Sequence, residues 1–218
     1  MQRKQIAPDG SCLFTSIDYL VSGVERADCA ANLRRLCVTA ILSQPARFTA
    51  ETLGEQKSVS EYCEWITRFD VYGGANEIEI LAEHFKVCVA VISCIPFSPA
   101  GLLARYGDSS CERVAYVLYN GQHYDAIEGG NGVEERIFRG TESDDAQAVA
   151  LAETVKDERE TELLTRLRKK LKCSCGAIFE TPALWQTHCG DAHADDEDFD
   201  YCCKEIEVAE RVASATDD

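Results

Sequence analysis

Two hundred and eighteen residues, 45% hydrophobic and 28% charged, suit one domain with an appendage or two small domains, and exclude fibrous, collagen-like and wholly disordered chains. Thirty-eight acidic against 22 basic residues leave a net charge of −16, a surface that repels phosphate backbones and anionic lipid, so nucleic acid is not an expected partner. The opening Met-Gln-Arg-Lys-Gln-Ile-Ala-Pro-Asp-Gly lacks the apolar run of a signal peptide, and no later stretch reaches the length of a membrane span. The twelve cysteines therefore read as those of a reduced, soluble, intracellular protein, where clustered thiols point to metal or catalysis. Solitary ones in apolar runs, Cys37, Cys63, Cys88 and Cys94, read as small buried hydrophobes.

Residues 1–11 are polar and close on the turn Pro8-Asp9-Gly10-Ser11, whose Asp9 or Ser11 can cap the apolar-periodic run from Cys12 to Val21. Cys12 is thus expected in the first turn of a helix. Asp28 precedes a second helix over 29–42 with Leu33, Leu36, Cys37, Ala40 and Ile41 on one face, ending near Pro45. The same period recurs over 58–69 and again over 75–85 after the Gly73-Gly74 break. The pattern then changes to continuous β-prone runs, Val87 to Ile92 and Val114 to Tyr119, which read as buried strands flanking a loop over 95–112. Asn120-Gly121 marks a hairpin into Gln122 to Ile127. Residues 144–172 read as one long charged helix whose only strong apolar stripe is Leu163, Leu164, Leu167 and Leu171, a linker to a second unit standing off the main core. The last 24 residues carry ten acids against Lys204 and Arg211 and read as a solvated tail.

A thiol at a helix N-terminus meets unpaired amides and the positive end of the macrodipole, which favour thiolate. Cys12 has that setting. As a nucleophile it needs a base, and His123 follows a tight hairpin with Asp125 two residues on, positions that share a sheet face. A carboxylate there suits the orienting partner of a catalytic imidazole. A buried cysteine and a hydrogen-bonded histidine account for the same spacing, so the local pattern alone leaves both readings open.

The run Asp9-Gly10-Ser11-Cys12-Leu13-Phe14, followed by Tyr119-Asn120-Gly121-Gln122-His123-Tyr124-Asp125, resembles the ovarian-tumour (OTU) family of cysteine deubiquitinases. Glu61-Tyr62-Cys63-Glu64-Trp65-Ile66 and Tyr72 to Ala82 are similar to that family's central block, in the same order, and the likeness spans roughly residues 5–140. With a zinc-finger pattern behind it, the chain is closest to the YOD branch. The resemblance implies an α/β (α+β) fold of papain-like cysteine-protease type, with helices around a small sheet. It implies Cys12 as nucleophile, His123 as general base, Asp9 in the catalytic loop and Asp125 as the acid after the histidine, with either aspartate as the one that orients His123. It further implies Gly10, Ser11, Gly73, Gly74 and Tyr124 at the substrate, which would be ubiquitin and polyubiquitin chains. A tail ending Gly-Gly has no side chains to grip, so a narrow cleft is the expected source of specificity, with amides near Gly10 to Cys12 at the oxyanion. Gly73 and Gly74 are candidates for the cleft wall, and a plain helix-starting break is the other reading of the pair. The branch works in endoplasmic-reticulum-associated degradation with a Cdc48-type AAA+ ATPase, reached through an N-terminal ubiquitin-like module for which this sequence has no room before the loop. The rival reading is a catalytically inactive ubiquitin-binding adaptor.

Cys173 and Cys175, then His188 after twelve residues and His193 after four more, form a two-cysteine two-histidine zinc pattern, with Phe179 and Trp185 as its apolar partners. Such a four-ligand zinc is structural, and Cys189 is an alternative ligand. The positions that would read DNA bases, Thr181, Leu184 and Thr187, carry no basic residue, which leaves protein contact or a structural knob. Cys202 and Cys203 have no assigned role. The expected organisation is a catalytic domain at 1–140, a helical linker at 141–170, a zinc finger at 171–195 and an acidic tail at 196–218. The expected compartment is the cytoplasm, with the nucleus or the cytosolic face of the endoplasmic reticulum as alternatives.

Overall fold

The computed structural model describes residues 1–26, 28–54, 56–108, 110–130, 135–173, 175–179, 187–188 and 203–207. The chain divides into two compact units, Met1–Asp157 and Glu158–Asp218. The first is built on a five-stranded sheet of order β1-β5-β4-β2-β3, where β1 is Gln2–Lys4, β2 Cys88–Ser93, β3 Gly101–Tyr106, β4 Val114–Tyr119 and β5 Tyr124–Glu128. Only β2 and β4 run parallel; the other pairings are antiparallel. These two central strands are apolar at nearly every position because both faces of the sheet are covered. Successive side chains point to opposite faces. Val89, Val91, Ala115 and Val117 accordingly meet the helices of one side, while Ala90, Ile92, Tyr116 and Leu118 belong to the cluster on the other.

Helices α1 (Cys12–Ser22), α2 (Cys29–Ser43), α3 (Ala50–Leu53), α4 (Val59–Ile66) and α5 (Ala75–Phe85) supply the first side. Their boundaries follow from local chemistry. Gly23, with φ of 77°, ends α1 in the left-handed region and donates its N–H to the Tyr19 carbonyl at 2.8 Å. The Ser58 hydroxyl accepts the Glu61 N–H and the Glu61 carboxylate accepts the Ser58 N–H, a reciprocal cap that starts α4. Glu77 does the same for the Gly74 N–H at 2.8 Å, opening α5 directly after the double glycine.

The other side is covered by the part of α6 (Glu142–Arg168) that lies in this unit. The sequence reading set this helix apart from the core as a linker, and there the structure differs. Ala148, Ala152 and Val155, spaced i, i+4, i+7, are buried against Tyr116, Leu118 and Phe138. Small side chains let the helix axis approach the sheet closely, and a stripe of alanines gives little hydropathy contrast in sequence. The Arg105 guanidinium and the Tyr116 hydroxyl both reach Asp145, fixing the first turn over the strands. Two strands also lie where none was expected, β1 in the polar start and β3 inside the loop over 95–112. Each is an edge strand, held by backbone pairing to β5 and β2.

In the second unit, β6 (Lys169–Cys173), β7 (Ile178–Phe179) and β8 (Cys203–Glu207) form an antiparallel sheet of order β7-β6-β8. The expected helix to 172 thus gives way to a strand at Lys169. Within the acidic segment read as a solvated tail, residues 203–207 pair with β6, Cys203 opposite Cys173; the rest of that segment lies outside the described residues.

Ala152→Leu tests the packing of α6. Overfilling this contact is expected to cost about 1–3 kcal/mol and to lower the thermal midpoint of the intact protein. An unchanged midpoint would mean that the helix does not close the sheet.

Candidate active site

The segment before α1 is a tightly held loop. The Asp9 carboxylate accepts the Ser11 N–H at 2.8 Å, and the Asp9 carbonyl accepts the Cys12 N–H at 3.3 Å. Gly10 tolerates no side chain here: a Cβ would lie 2.2 Å from the Phe69 carbonyl oxygen. The loop is also reached by a charged residue that no motif in the sequence marks. Arg34 of α2, 1% exposed, donates Nη2 to the Gly10 carbonyl at 2.8 Å and to the Val71 carbonyl at 2.7 Å, and Nη1 to the Ile66 carbonyl at 2.7 Å. Its place was readable from phase, since Ala30, Arg34, Cys37 and Ile41 share one buried stripe. Its charge argued the other way.

Cys12 opens α1 as expected, but its thiol is not lowered by that position. Burial pushes it above the ordinary thiol value, and the negative charges of Asp9 and Asp125 push the same way. Hydrogen bonds from the main chain at Tyr124 and Leu13 favour the thiolate without overcoming the desolvation. With only 1% of Cys12 exposed, removal of water outweighs the helix terminus.

His123 stands on the hairpin between β4 and β5. The Asn120 side-chain oxygen accepts the N–H groups of Gln122 and His123 at 3.0 and 2.8 Å, and Gly121 takes a φ of 101°. His123 is the last residue of the turn, and its Nε2 lies 3.0 Å from Asp125 Oδ1. The carboxylate is itself caged at 3% exposure: Oδ1 accepts the Ile6 N–H at 2.8 Å, and Oδ2 accepts Arg3 Nε at 2.8 Å with Nη2 at 2.7 Å. Asp125 is thus the aspartate placed on the imidazole, while Asp9 is spent within the loop. The β1 strand that carries Arg3 had no apolar signal to announce it.

The remaining candidates are distributed unevenly. A Cβ on Gly73 would meet Leu13 Cδ2 at 2.8 Å and Phe14 Cε2 at 2.9 Å, so this glycine packs against α1; around Gly74 a Cβ meets nothing within 4 Å. The Ser11 side chain lies 3.5 Å from Arg34 Nη2. Tyr124 stacks on Tyr119 with ring centroids 4.6 Å apart, its carbonyl accepts the Ser16 hydroxyl, and burial raises its phenol.

In the second unit, one donor atom each from Cys173, Cys175 and His188 lie within 4.8 Å of one another, and Cys175 Sγ is 3.3 Å from His188 Nε2. The cysteines straddle a turn in which the Gly176 N–H meets the Cys173 carbonyl at 2.9 Å and the Cys173 N–H meets the Ala177 carbonyl at 2.9 Å. Phe179 packs on the His188 ring at 4.7 Å. This soft donor set fits a transition metal. His193, Trp185 and Cys189 lie outside the described residues.

Comparison with known proteins places these groups in context. The family described as OTU-like cysteine protease matches residues 7–124, which include Cys12 and His123. A zebrafish ubiquitin thioesterase OTU1 is 29% identical over 191 residues, covering 84% of this chain and 62% of its own length. Its human counterpart is 35% identical over 130 residues, covering 59% of this chain and 36% of its own. This chain therefore spans less than two thirds of either relative. A solved ovarian-tumour domain in complex with ubiquitin superposes with a TM-score of 0.62 at 25% identity, covering 72% of this chain and 88% of that one.

The raised thiol makes a pH test available. Alkylation of Cys12 by iodoacetamide, followed by mass spectrometry of its peptide, is expected to keep accelerating beyond the ordinary thiol pKa of about 8.5, because thiolate is the reacting form. A plateau reached at neutral pH would show that the thiolate already forms in the resting protein and would contradict the effect of burial.

Proposed function

The chain belongs to the OTU-like cysteine protease family, and from that premise we propose that it is a deubiquitinase, hydrolysing isopeptide bonds at the ubiquitin C-terminus in conjugates and chains. The observation that carries this reading is the joint placement of Cys12 at the head of α1, against the main chain of Tyr124, and of His123 one residue earlier with its Nε2 on Asp125. An inactive adaptor would need no such assembly.

Asp125 accepts the Nε2 proton, which leaves the Nδ1 lone pair as the base. His123 takes the thiol proton as Cys12 Sγ attacks the carbonyl carbon, so the thiolate exists only as it is used. The oxyanion needs N–H donors, and the loop narrows the choice. The Ser11 N–H is occupied by Asp9 Oδ1 and the Cys12 N–H points to the Asp9 carbonyl, whereas the Gly10 N–H has no protein acceptor among the described residues. Gly10 is therefore the leading oxyanion donor. Protonated His123 delivers its proton to the departing lysine amine, and water, deprotonated by the same imidazole, resolves the thioester and restores the thiol. Gly74, with open space before it, and Tyr124 would flank the Gly-Gly tail; Gly73 would shape that wall by letting its loop close on Leu13 and Phe14.

The second unit supports a zinc-finger reading, with Cys173, Cys175 and His188 as ligands and His193 as the fourth. Four protein ligands close the coordination sphere, so such a zinc would hold the segment together. The whole chain's net charge of −16 disfavours nucleic acid as the finger's partner, and ubiquitin chains or a conjugated protein fit better. No helix among the described residues is long and apolar enough to cross a membrane. A role in endoplasmic-reticulum-associated degradation, alongside a Cdc48-type ATPase, is the cellular setting that this reading suggests.

Cys12→Ser is expected to abolish cleavage of di-ubiquitin, and Asp125→Asn to reduce kcat by about 10²–10⁴-fold, the range of lost acid–base catalysis. Asp9→Asn should cost less, because an amide oxygen can still accept the Ser11 N–H. Steady-state kinetics on all three check the order, and a larger loss at Asp9 would move the orienting role there. His188→Ala is expected to release bound zinc while leaving kcat on a short ubiquitin reporter unchanged; proportional loss of zinc and turnover would make the metal part of the chemistry.

A further inference from the structure

Burying a guanidinium with no carboxylate at ion-pair distance is costly, and apolar residues of similar volume would fill the same space more cheaply. Arg34 is such a case among the described residues. Its Nε has no hydrogen-bond partner, and the guanidinium carbon lies 4.3 Å from the centre of the Phe14 ring. Besides the Ser11 hydroxyl at 3.5 Å, its partners are three main-chain carbonyls on two stretches of chain: Gly10 before Cys12, and Ile66 at the end of α4 with Val71 in the loop that follows. Core packing does not require that pattern.

The Gly10 carbonyl and the Ser11 N–H belong to one peptide group. Arg34 holds the first at 2.8 Å and Asp9 holds the second at 2.8 Å, so the plane is pinned at both ends. Across the Gly10 Cα sits the amide left free for the oxyanion. Glycine has more rotational freedom than any other residue, so an unpinned loop would let this amide swing. The close approach to Phe69 forbids replacing that freedom with a side chain.

Resting on the assignment of Cys12 as nucleophile, we propose that Arg34 is the positioning residue of the oxyanion site: its planar fork ties the Gly10–Ser11 peptide to the 66–71 segment and keeps the Gly10 N–H aimed at the developing oxyanion. A lysine at this position has its donors on one point and cannot span three carbonyls in fixed directions.

The test compares two reactions of the same sulfur in the full-length chain. Thioester formation builds an oxyanion; alkylation by iodoacetamide does not. Arg34→Lys is expected to lower kcat on a ubiquitin C-terminal amide reporter by about 10–100-fold, part of the loss seen when an oxyanion donor is removed outright. KM and the alkylation rate of Cys12 should each stay within about twofold of the unsubstituted protein. Arg34→Met, which keeps the volume and removes every donor, should show the same split with a larger fall in kcat. Unchanged kcat overturns the proposal, as does a parallel fall in kcat and alkylation, which would signal collapse of the whole site. Circular dichroism showing both variants unfolded also overturns it, since Arg34 would then serve the fold at large. If the unsubstituted protein leaves the reporter intact while Cys12 still alkylates, the deubiquitinase reading fails, and this inference with it.

Discussion

Asp125 is the constraint on which the rest of the site depends. A carboxylate at 3% exposure is stable only when its oxygens are occupied, and here they collect the His123 ring, the Ile6 N–H and the Arg3 guanidinium. Those three groups come from the turn, from the approach to the catalytic loop and from an edge strand. One buried charge thus draws β1 onto β5, fixes the chain that leads into Pro8 and Asp9, and sets the orientation of the imidazole. The Arg3 guanidinium also offsets the buried carboxylate's charge.

The sheet explains how these pieces are kept within reach of Cys12. Because β2 and β4 are covered on both faces, the hairpin that carries His123 grows from a strand buried on both sides. The helix that begins with Cys12 packs its Leu13, Phe14 and Ile17 on the same sheet. Cys12 and His123, the proposed nucleophile and base, therefore stand on elements that border one core, as pre-organised chemistry requires. The same burial that fixes the sulfur also desolvates it and raises the thiol. Burial and thiolate stability compete at this position, and in the proposed mechanism proton transfer to His123 during the attack reconciles them.

Much of this was legible in the sequence, for identifiable reasons. The Asn120-Gly121 turn and the apolar period after Asp9-Gly10-Ser11 are local signals; they put Cys12 at the head of its helix and His123 just past a hairpin, although β5 begins one residue later, at Tyr124, and leaves His123 in the turn. What escaped were features whose signal is not hydropathy. Gln2-Arg3-Lys4 is a strand only through its partner β5. The alanines at 148 and 152 pack because they are small, which an apolar stripe search reads as weak. Arg34 lies on the buried stripe of α2 but is charged, so its contacts with main-chain carbonyls could not be inferred from composition. The expected low thiol pKa failed because helix-terminus electrostatics was read without burial, and burial is a property of the fold.

The most direct test of the central claim is covalent. Ubiquitin bearing an electrophile in place of its terminal carboxylate should add once to the native protein, and peptide mapping should place the adduct on Cys12. An adduct on Cys29 or Cys111 instead, or a folded protein that forms none, would contradict the account.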